Sequence, residues 1–236
     1  MSDGQWVSLF SGGKDSVGAF YRAREAGLAV DRLVTVHSEG DSYMYHVPAT
    51  ELVDLAAESI GVPVTAVAGA EVSGHDAGHR GDREIEPLER ALADLDETTR
   101  GGLAGVTVGA IESDYQASRV QSMCERLEID MYAPLWHEDP VELGKWFVET
   151  GFEIRIVAVA AAGLDESWLG RTLDGATLEE LETLNETRGV HVLGEGGEYE
   201  TLVTDGPHMR RPIEIEYETV WDGTRGHLEI TAAALG

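Results

Sequence analysis

The chain has 236 residues of which 42% are apolar, enough for one large domain or two modest ones with an ordinary core, and this excludes an intrinsically disordered chain. Its 17 Lys and Arg stand against 44 Asp and Glu, a formal net charge of -27 spread along the whole sequence, which argues against stable nucleic-acid binding or an anionic membrane surface as partner. A single cysteine, Cys124, excludes an intramolecular disulfide, a CxxC zinc knuckle and a thiol pair for persulfide chemistry.

The first half alternates short β-rich runs with amphipathic helical patterns. Residues 6–10, 32–38, 62–69 and 104–111 read as buried strands. Helices lie between them, with apolar faces spaced by three and four: Val17, Phe20 and Tyr21; Leu52, Val53, Ala56, Ala57 and Ile60; Ile85, Leu88, Leu92 and Leu95. A fourth, over 114–127, carries Val120, Met123, Cys124 and Leu127 on one side, so Cys124 is expected in the core. Strand–helix alternation of this kind predicts an α/β fold with a doubly wound parallel sheet, whose ligands bind outside the carboxyl ends of the strands.

Beyond "APLWHEDP" (133–140) the pattern changes, and a boundary is expected near residue 132, dividing 1–132 from a smaller α+β domain at 133–236. Asp139 followed by Pro140 predicts an N-cap and first helical residue, with the helix ending at Gly151. Residues 152–162 read as a strand, and Thr177 with Glu180 has capping-box spacing for a further helix. "IEIEYETVW" and "HLEITAA" near the end alternate like an antiparallel pair with one wet face. No apolar run approaches the roughly 20 residues of a membrane span, and no signal peptide is evident, so a cytoplasmic location is expected.

"SGGKDS", residues 11–16, falls between the first strand and the first helix. Converging backbone N–H groups, a helix N-terminus and glycines that let a ligand approach the main chain together make an anion site. The string is not a Walker A loop, because Asp15 follows Lys14 and Ser8 stands where that motif needs glycine, and no GxGxxG is present. It resembles the PP-loop of the N-type ATP pyrophosphatases, which split ATP between the α and β phosphates. That resemblance implies ATP and Mg²⁺, with Ser11, Gly12, Gly13, Asp15 and Ser16 around the pyrophosphate portion. Lys14 then offsets its charge, and Asp15 is the candidate metal ligand.

Four further stretches narrow the resemblance. "DSYMYH" (41–46) follows the second strand, "GAIESDYQASR" (109–119) follows the fourth, "PLW" ends at Trp136, and "GEGGEYETLVTDGP" occupies 194–207. Together with SGGKDS these closely resemble the diphthine–ammonia ligases, over about residues 7–207. The resemblance implies that His37, Ser38, Met44 and His46 flank the adenosine, with polar packing the better reading of His37 and a ligand contact that of His46, and that Gly109, Ser113, Gln116 and Arg119 meet phosphate or ribose. It also implies a reaction: the carboxylate of diphthine, a modified histidine of translation elongation factor 2, is adenylated and then amidated by ammonia, releasing pyrophosphate and AMP. A halophilic archaeon is the expected source, since molar salt shortens the Debye length to roughly 3 Å and screens repulsion among carboxylates.

Glu195, Glu198 and Glu200 are the candidate catalytic carboxylates beside Lys14. Period two puts Glu198 and Glu200 on one face, and such groups attract ammonium, take its proton or attract a quaternary ammonium head; in a chain this acidic they also suit a solvated turn. Tyr199, Trp136 and Tyr115 are candidate cation–π partners. Arg119 alone equally suits a surface ion pair. His75 and His79 have helical metal-pair spacing but sit among glycines, which predicts a loop. Residues 72–87 and "HMR" at 208–210 depart from the resembled pattern. Readings that keep the loop but change the outcome are a tRNA-modifying ATP pyrophosphatase, a non-catalytic adenine-nucleotide sensor, and amidation of a small molecule; a homo-oligomer is also open.

Overall fold

The computed structural model describes residues 4–37, 49–69, 77–112 and 114–236, with the side chains of 49–50, 77–84 and 114–116 outside the description. They group into two compact units, one within Met1–Ser11, Asp15–Asp41 and Val62–Trp136, the other within Gly12–Lys14, Ser42–Gly61 and His137–Gly236.

The first unit is an α/β layer structure. Strands β1 (Gln5–Leu9), β2 (Val30–His37), β3 (Val64–Ala68), β4 (Leu103–Thr107) and β5 (Asp130–Tyr132) form one sheet in the order β3-β2-β1-β4-β5. Every pairing is parallel. Val7, Val34 and Val106 face helices α3 (Ala77–Thr98) and α4 (Asp114–Leu127), packing with Leu88, Leu92, Val120, Met123 and Cys124. Phe10 meets Phe20 of α1 (Lys14–Glu25) edge to face at 6.2 Å between centroids. Cys124 is fully buried as expected, and burial pushes its thiol up to about 11, well away from reactive thiolate character.

The strand order reverses between β1 and β4: β2 and β3 lie to one side of β1, β4 and β5 to the other. A doubly wound sheet opens a crevice at such a reversal, beyond the carboxyl ends of the two strands. Residues 11–13 leave β1 there, and residues 108–110 leave β4 there.

The second unit is built on an antiparallel sheet of β6 (Glu153–Val159), β7 (Tyr199–Asp205), β8 (Ile213–Trp221) and β9 (Gly226–Leu235), in the order β7-β6-β9-β8. Helix α2 (Ala49–Ile60) belongs here, with Leu52 in a core made by Val157, Leu202, Leu228 and Ile230. Its C-terminal end is fastened to the "HMR" region: Arg210 donates its N–H to the Ser59 carbonyl at 3.1 Å, and Arg211 pairs with Glu58 at 2.8 Å. His208 of the same segment lies against the Phe152 ring, 5.5 Å between centroids, so the departure from the expected pattern is filled by packing. No helix among the described residues is long and apolar enough to cross a membrane.

Helix α5 (Pro140–Thr150) forms as its sequence dictates. Asp139 accepts the N–H groups of Val141 and Glu142, both at 3.0 Å, Pro140 opens the first turn, and Gly151 closes the helix at φ 86°. Helix α6 (Gly175–Arg188) differs from expectation. It starts earlier, and the capping group is Asp174, whose carboxylate accepts the Thr177 N–H at 2.8 Å; Thr177 is inside the first turn, and Glu180 pairs with Arg171 through oxygens at 2.7 and 2.9 Å. A carboxylate immediately ahead of the helix outcompetes a hydroxyl that must enter it. The strand expected over 152–162 is Glu153–Val159; the Ala160 N–H still reaches the Glu198 carbonyl at 2.8 Å, and the chain then turns, the Leu164 N–H going to the Ala161 carbonyl at 3.1 Å. Strand β8 has one wet face, with Glu214, Glu216, Glu218 and Val220 exposed, while on the other Ile213 is buried and Ile215 packs against the Leu52 core; Tyr217, 40% exposed, departs from that alternation. His79 falls within α3, not in a loop, and His75 lies outside the described residues.

Asp174→Ala is expected to lower the unfolding free energy by about 1 kcal/mol. The Thr177 N–H holds the Asp174 carboxyl below its usual range. The contribution of this cap is therefore complete at neutral pH and disappears as pH falls through the depressed value, so urea unfolding of native and variant protein should converge in acid.

Candidate active site

In the first unit, Ser11, Asp15 and Ser16 surround the start of α1. The Ser16 hydroxyl accepts the Ser11 N–H at 3.1 Å, and the two hydroxyl oxygens are 3.2 Å apart, which draws the two ends of the loop together. Asp15 stands in the first helical turn, where a carboxylate complements the helix dipole. Gly109, just past β4, is in direct contact with that turn: a Cβ there would lie 2.5 Å from the Asp15 carbonyl and 2.6 Å from the Ser16 nitrogen. Only glycine permits this approach of two backbones.

Gly12–Lys14, the middle of the same loop, belongs to the second unit. Gly12 adopts φ 83°, a left-handed conformation that a side chain would strain. Its carbonyl accepts the N–H of Val203 at 2.9 Å, and the N–H of Lys14 is donated to the Thr201 hydroxyl at 3.2 Å. Both acceptor and donor positions are on β7, which continues directly from the glycine–glutamate string. Lys14 is only 3% exposed, and its Nζ lies 5.8 Å from the centroid of the Tyr199 ring. Tyr199 therefore faces the loop lysine; its hydroxyl donates to the Val192 carbonyl at 2.6 Å.

The glycine–glutamate string forms two successive turns. Gly194 donates to the His191 carbonyl and Gly197 to the Gly194 carbonyl, each at 3.0 Å. Gly194 sits at φ 72°, and a Cβ on it would fall 2.8 Å from the Tyr199 carbonyl. Glu198 precedes β7 and folds back on this turn, its Oε1 accepting the His191 N–H at 3.0 Å. Its Oε2 is buried and has no hydrogen-bond partner among the described residues. His191 Nδ1 accepts two N–H groups, from Leu193 at 3.1 Å and Glu195 at 3.2 Å. Glu195 is half-buried, and Glu200, on the strand, is exposed. The two glutamates expected to share a strand face thus differ in setting, because Glu198 lies before the strand begins.

His37 ends β2, half-buried, with Nε2 lacking a partner among the described residues. Arg119 is half-buried on α4, which also contains the backbone of Gln116; Ser38, Met44, His46 and Ser113 lie outside the described residues. Of the aromatic candidates, Tyr199 has its ring beside Lys14 and Trp136 packs against the sheet–helix core. Tyr115 has no described side chain. Sequence reading did not single out His191, Thr201 or Val203. The last two were inside the recognised string, and the signal for His191 was only its place just ahead of the glycine-rich turn. No group of three or more His, Cys, Asp or Glu capable of holding a metal gathers among the described residues. Asp15 fits Mg²⁺ of the kind held by one carboxylate together with phosphate oxygens.

Residues 4–131 match the family described as the diphthamide synthase N-terminal domain, and residues 139–235 that described as the diphthamide synthase C-terminal domain. A diphthine–ammonia ligase of Danio rerio is 36% identical over 221 residues, 89% of this chain and 86% of that protein. That of Homo sapiens is 34% identical over 227 residues, 91% of this chain and 84% of that protein. A Schizosaccharomyces pombe diphthine–ammonia ligase is 32% identical over 230 residues, 94% of this chain but 38% of that longer protein.

Gly109→Ala forces Cβ into backbone that has no flexible atom to move aside. The expected cost is about 1–3 kcal/mol in denaturant unfolding, with the first turn of α1 losing amide-exchange protection before the rest of the sheet.

Proposed function

The chain belongs to the diphthamide synthase family, and from that premise we propose that it is an ATP-dependent ligase that amidates diphthine on translation elongation factor 2. The carboxylate of diphthine attacks the α-phosphorus of ATP, the bond to the bridging oxygen of the β-phosphate breaks, and pyrophosphate departs. Ammonia then adds its lone pair to the acyl carbon, AMP leaves, and the excess proton passes from nitrogen to a base. The product is the amide diphthamide, formed in the cytoplasm where the factor works.

One observation supports this reading above the others. The phosphate-type loop and the glycine–glutamate strand, separated by 187 positions at Lys14 and Thr201, are hydrogen-bonded to each other. An adenylating ligase needs its leaving-group site and its ammonia-handling carboxylates to keep a set relation, since effective concentration depends on position to a fraction of an ångström. In this reading the N–H groups of Gly12 and Gly13 and the hydroxyls of Ser11 and Ser16 bind the pyrophosphate portion. Lys14 stabilises the charge that develops on it as the bond breaks. Asp15 would hold Mg²⁺, which would supply Lewis-acid stabilisation of the same charge. Residues His37, Ser38, Met44 and His46 contact adenosine, and Gly109, Ser113, Gln116 and Arg119 contact phosphate or ribose. Residues 1–132 form the ATP-binding domain in this scheme, and 133–236 the substrate-binding domain.

The glutamates divide the remaining work. Ammonium presents N–H donors that need acceptors, and the buried Oε2 of Glu198 is such an acceptor. On losing a proton to that carboxylate, the nitrogen becomes the nucleophile. The trimethylammonium group of diphthine has no donor and stays near water, which suits the exposed Glu200. Glu195 adds negative charge at the turn.

Purified protein given ATP, Mg²⁺, ammonium and elongation factor bearing diphthine should form AMP, pyrophosphate and amide in equal amounts, followed by mass spectrometry of the factor. Pyrophosphate that never appears, or an acceptor mass that never changes, would sink this reading. Lys14→Ala should slow pyrophosphate release by about 100-fold or more. Glu198→Gln should impair amidation more than adenylation, measured as exchange of labelled pyrophosphate into ATP in the absence of ammonium.

A further inference from the structure

We propose that His191 is the positioning residue of the glycine–glutamate turn, a neutral imidazole with its proton on Nε2 that sets where Glu195 and Glu198 stand; this rests on the ligase reading above. Three hydrogen bonds carry it. Nδ1 receives the N–H of Leu193 at 3.1 Å and that of Glu195 at 3.2 Å, while the His191 backbone N–H is donated to Glu198 Oε1 at 3.0 Å. A ring nitrogen that receives two donors must offer its lone pair, so it carries no proton, and the neutral ring then holds its hydrogen on Nε2. One residue therefore contacts the backbone of the first glutamate and the carboxylate of the second.

The turn has few other means of holding its shape. Gly194, Gly196 and Gly197 supply no side chains and give the backbone wide freedom in the unfolded chain. Other hydrogen bonds at the turn run from Gly194 to the His191 carbonyl, from Gly197 to the Gly194 carbonyl, from the Tyr199 hydroxyl to the Val192 carbonyl and from the Ala160 N–H to the Glu198 carbonyl. Each uses groups other than the N–H of Leu193 and of Glu195, which go to Nδ1. A side chain without an acceptor at that place strands both donors, and the penalty of unmet backbone donors favours a rearranged turn. A carboxylate displaced by an ångström loses its alignment with the nucleophile, although the loop that grips pyrophosphate is attached further along, at Thr201 and Val203.

The test compares native protein with His191→Leu, which removes the acceptor, and His191→Asn, whose amide oxygen occupies the place of Nδ1. The leucine variant should retain pyrophosphate–ATP exchange within about threefold while its KM for ammonium rises about tenfold or more. Asparagine should restore that KM to near the native value. Nitrogen NMR of the native protein should find an unprotonated Nδ1 and a protonated Nε2. If the leucine variant does not fold, His191→Gln serves instead, because its longer arm carries the acceptor past the two N–H groups. Equal losses of exchange and of ammonium use would reduce His191 to a structural residue and overturn the proposal. An unchanged ammonium KM in the leucine variant, or a proton found on Nδ1, would also overturn it. Native protein that forms no pyrophosphate with its acceptor would instead overturn the ligase reading, and this result is distinct from a wrong tautomer in an active enzyme.

Discussion

Two hydrogen bonds within the second unit, the Val203 N–H to the Gly12 carbonyl and the Lys14 N–H to the Thr201 hydroxyl, are the constraint that holds the middle of the glycine-rich loop. A glycine-rich loop has many conformations of similar energy, and the cost of ordering it is large per residue. Here β7 offers the loop a ready-made edge of donors and acceptors, so ordering the strand orders the loop. Lys14 is then drawn into a nearly closed environment beside the Tyr199 ring, where a cation keeps its direction better than on an exposed surface.

Glycine does two different things in this molecule. At Gly12 and Gly194 it supplies left-handed backbone that other residues adopt only under strain. At Gly109 the conformation is ordinary and the need is space, since the exit of β4 touches the first turn of α1. The two needs arise in separate stretches of the sequence and fail differently when a methyl group is added: the first as a conformational penalty, the second as a collision between main chains.

The acidic composition bears on how the fold is held. Described ion pairs such as Arg211 with Glu58 and Lys145 with Glu142 join exposed side chains, and such pairs contribute little in water and less in salt. The two apolar clusters, the helix caps and the strand pairings carry the stability instead. The sequence contains far more carboxylates than partners for them, so most serve as solvated surface.

What the sequence determined by itself was everything set within a few residues. The alternation of buried strands and apolar helix faces gave the α/β class, Asp139, Pro140 and Gly151 bounded α5, and the placement of Cys124 on an apolar stripe put it in the core. The SGGKDS and glycine–glutamate strings pointed to chemistry because each is a local arrangement of backbone donors or carboxylates. The structure corrected one local expectation, Asp174 in place of Thr177 as the cap of α6, and tertiary structure decided that Glu198 turns away from the strand to reach His191. It also decided that Tyr199 faces Lys14, that three-residue β5 completes the sheet, and that positions 14 and 201 are neighbours. Periodicity and caps are short-range properties, written in the residues of one turn or one strand. A contact closing a loop of 187 positions is chosen by the packing of the whole chain, and no residue near either end announces it.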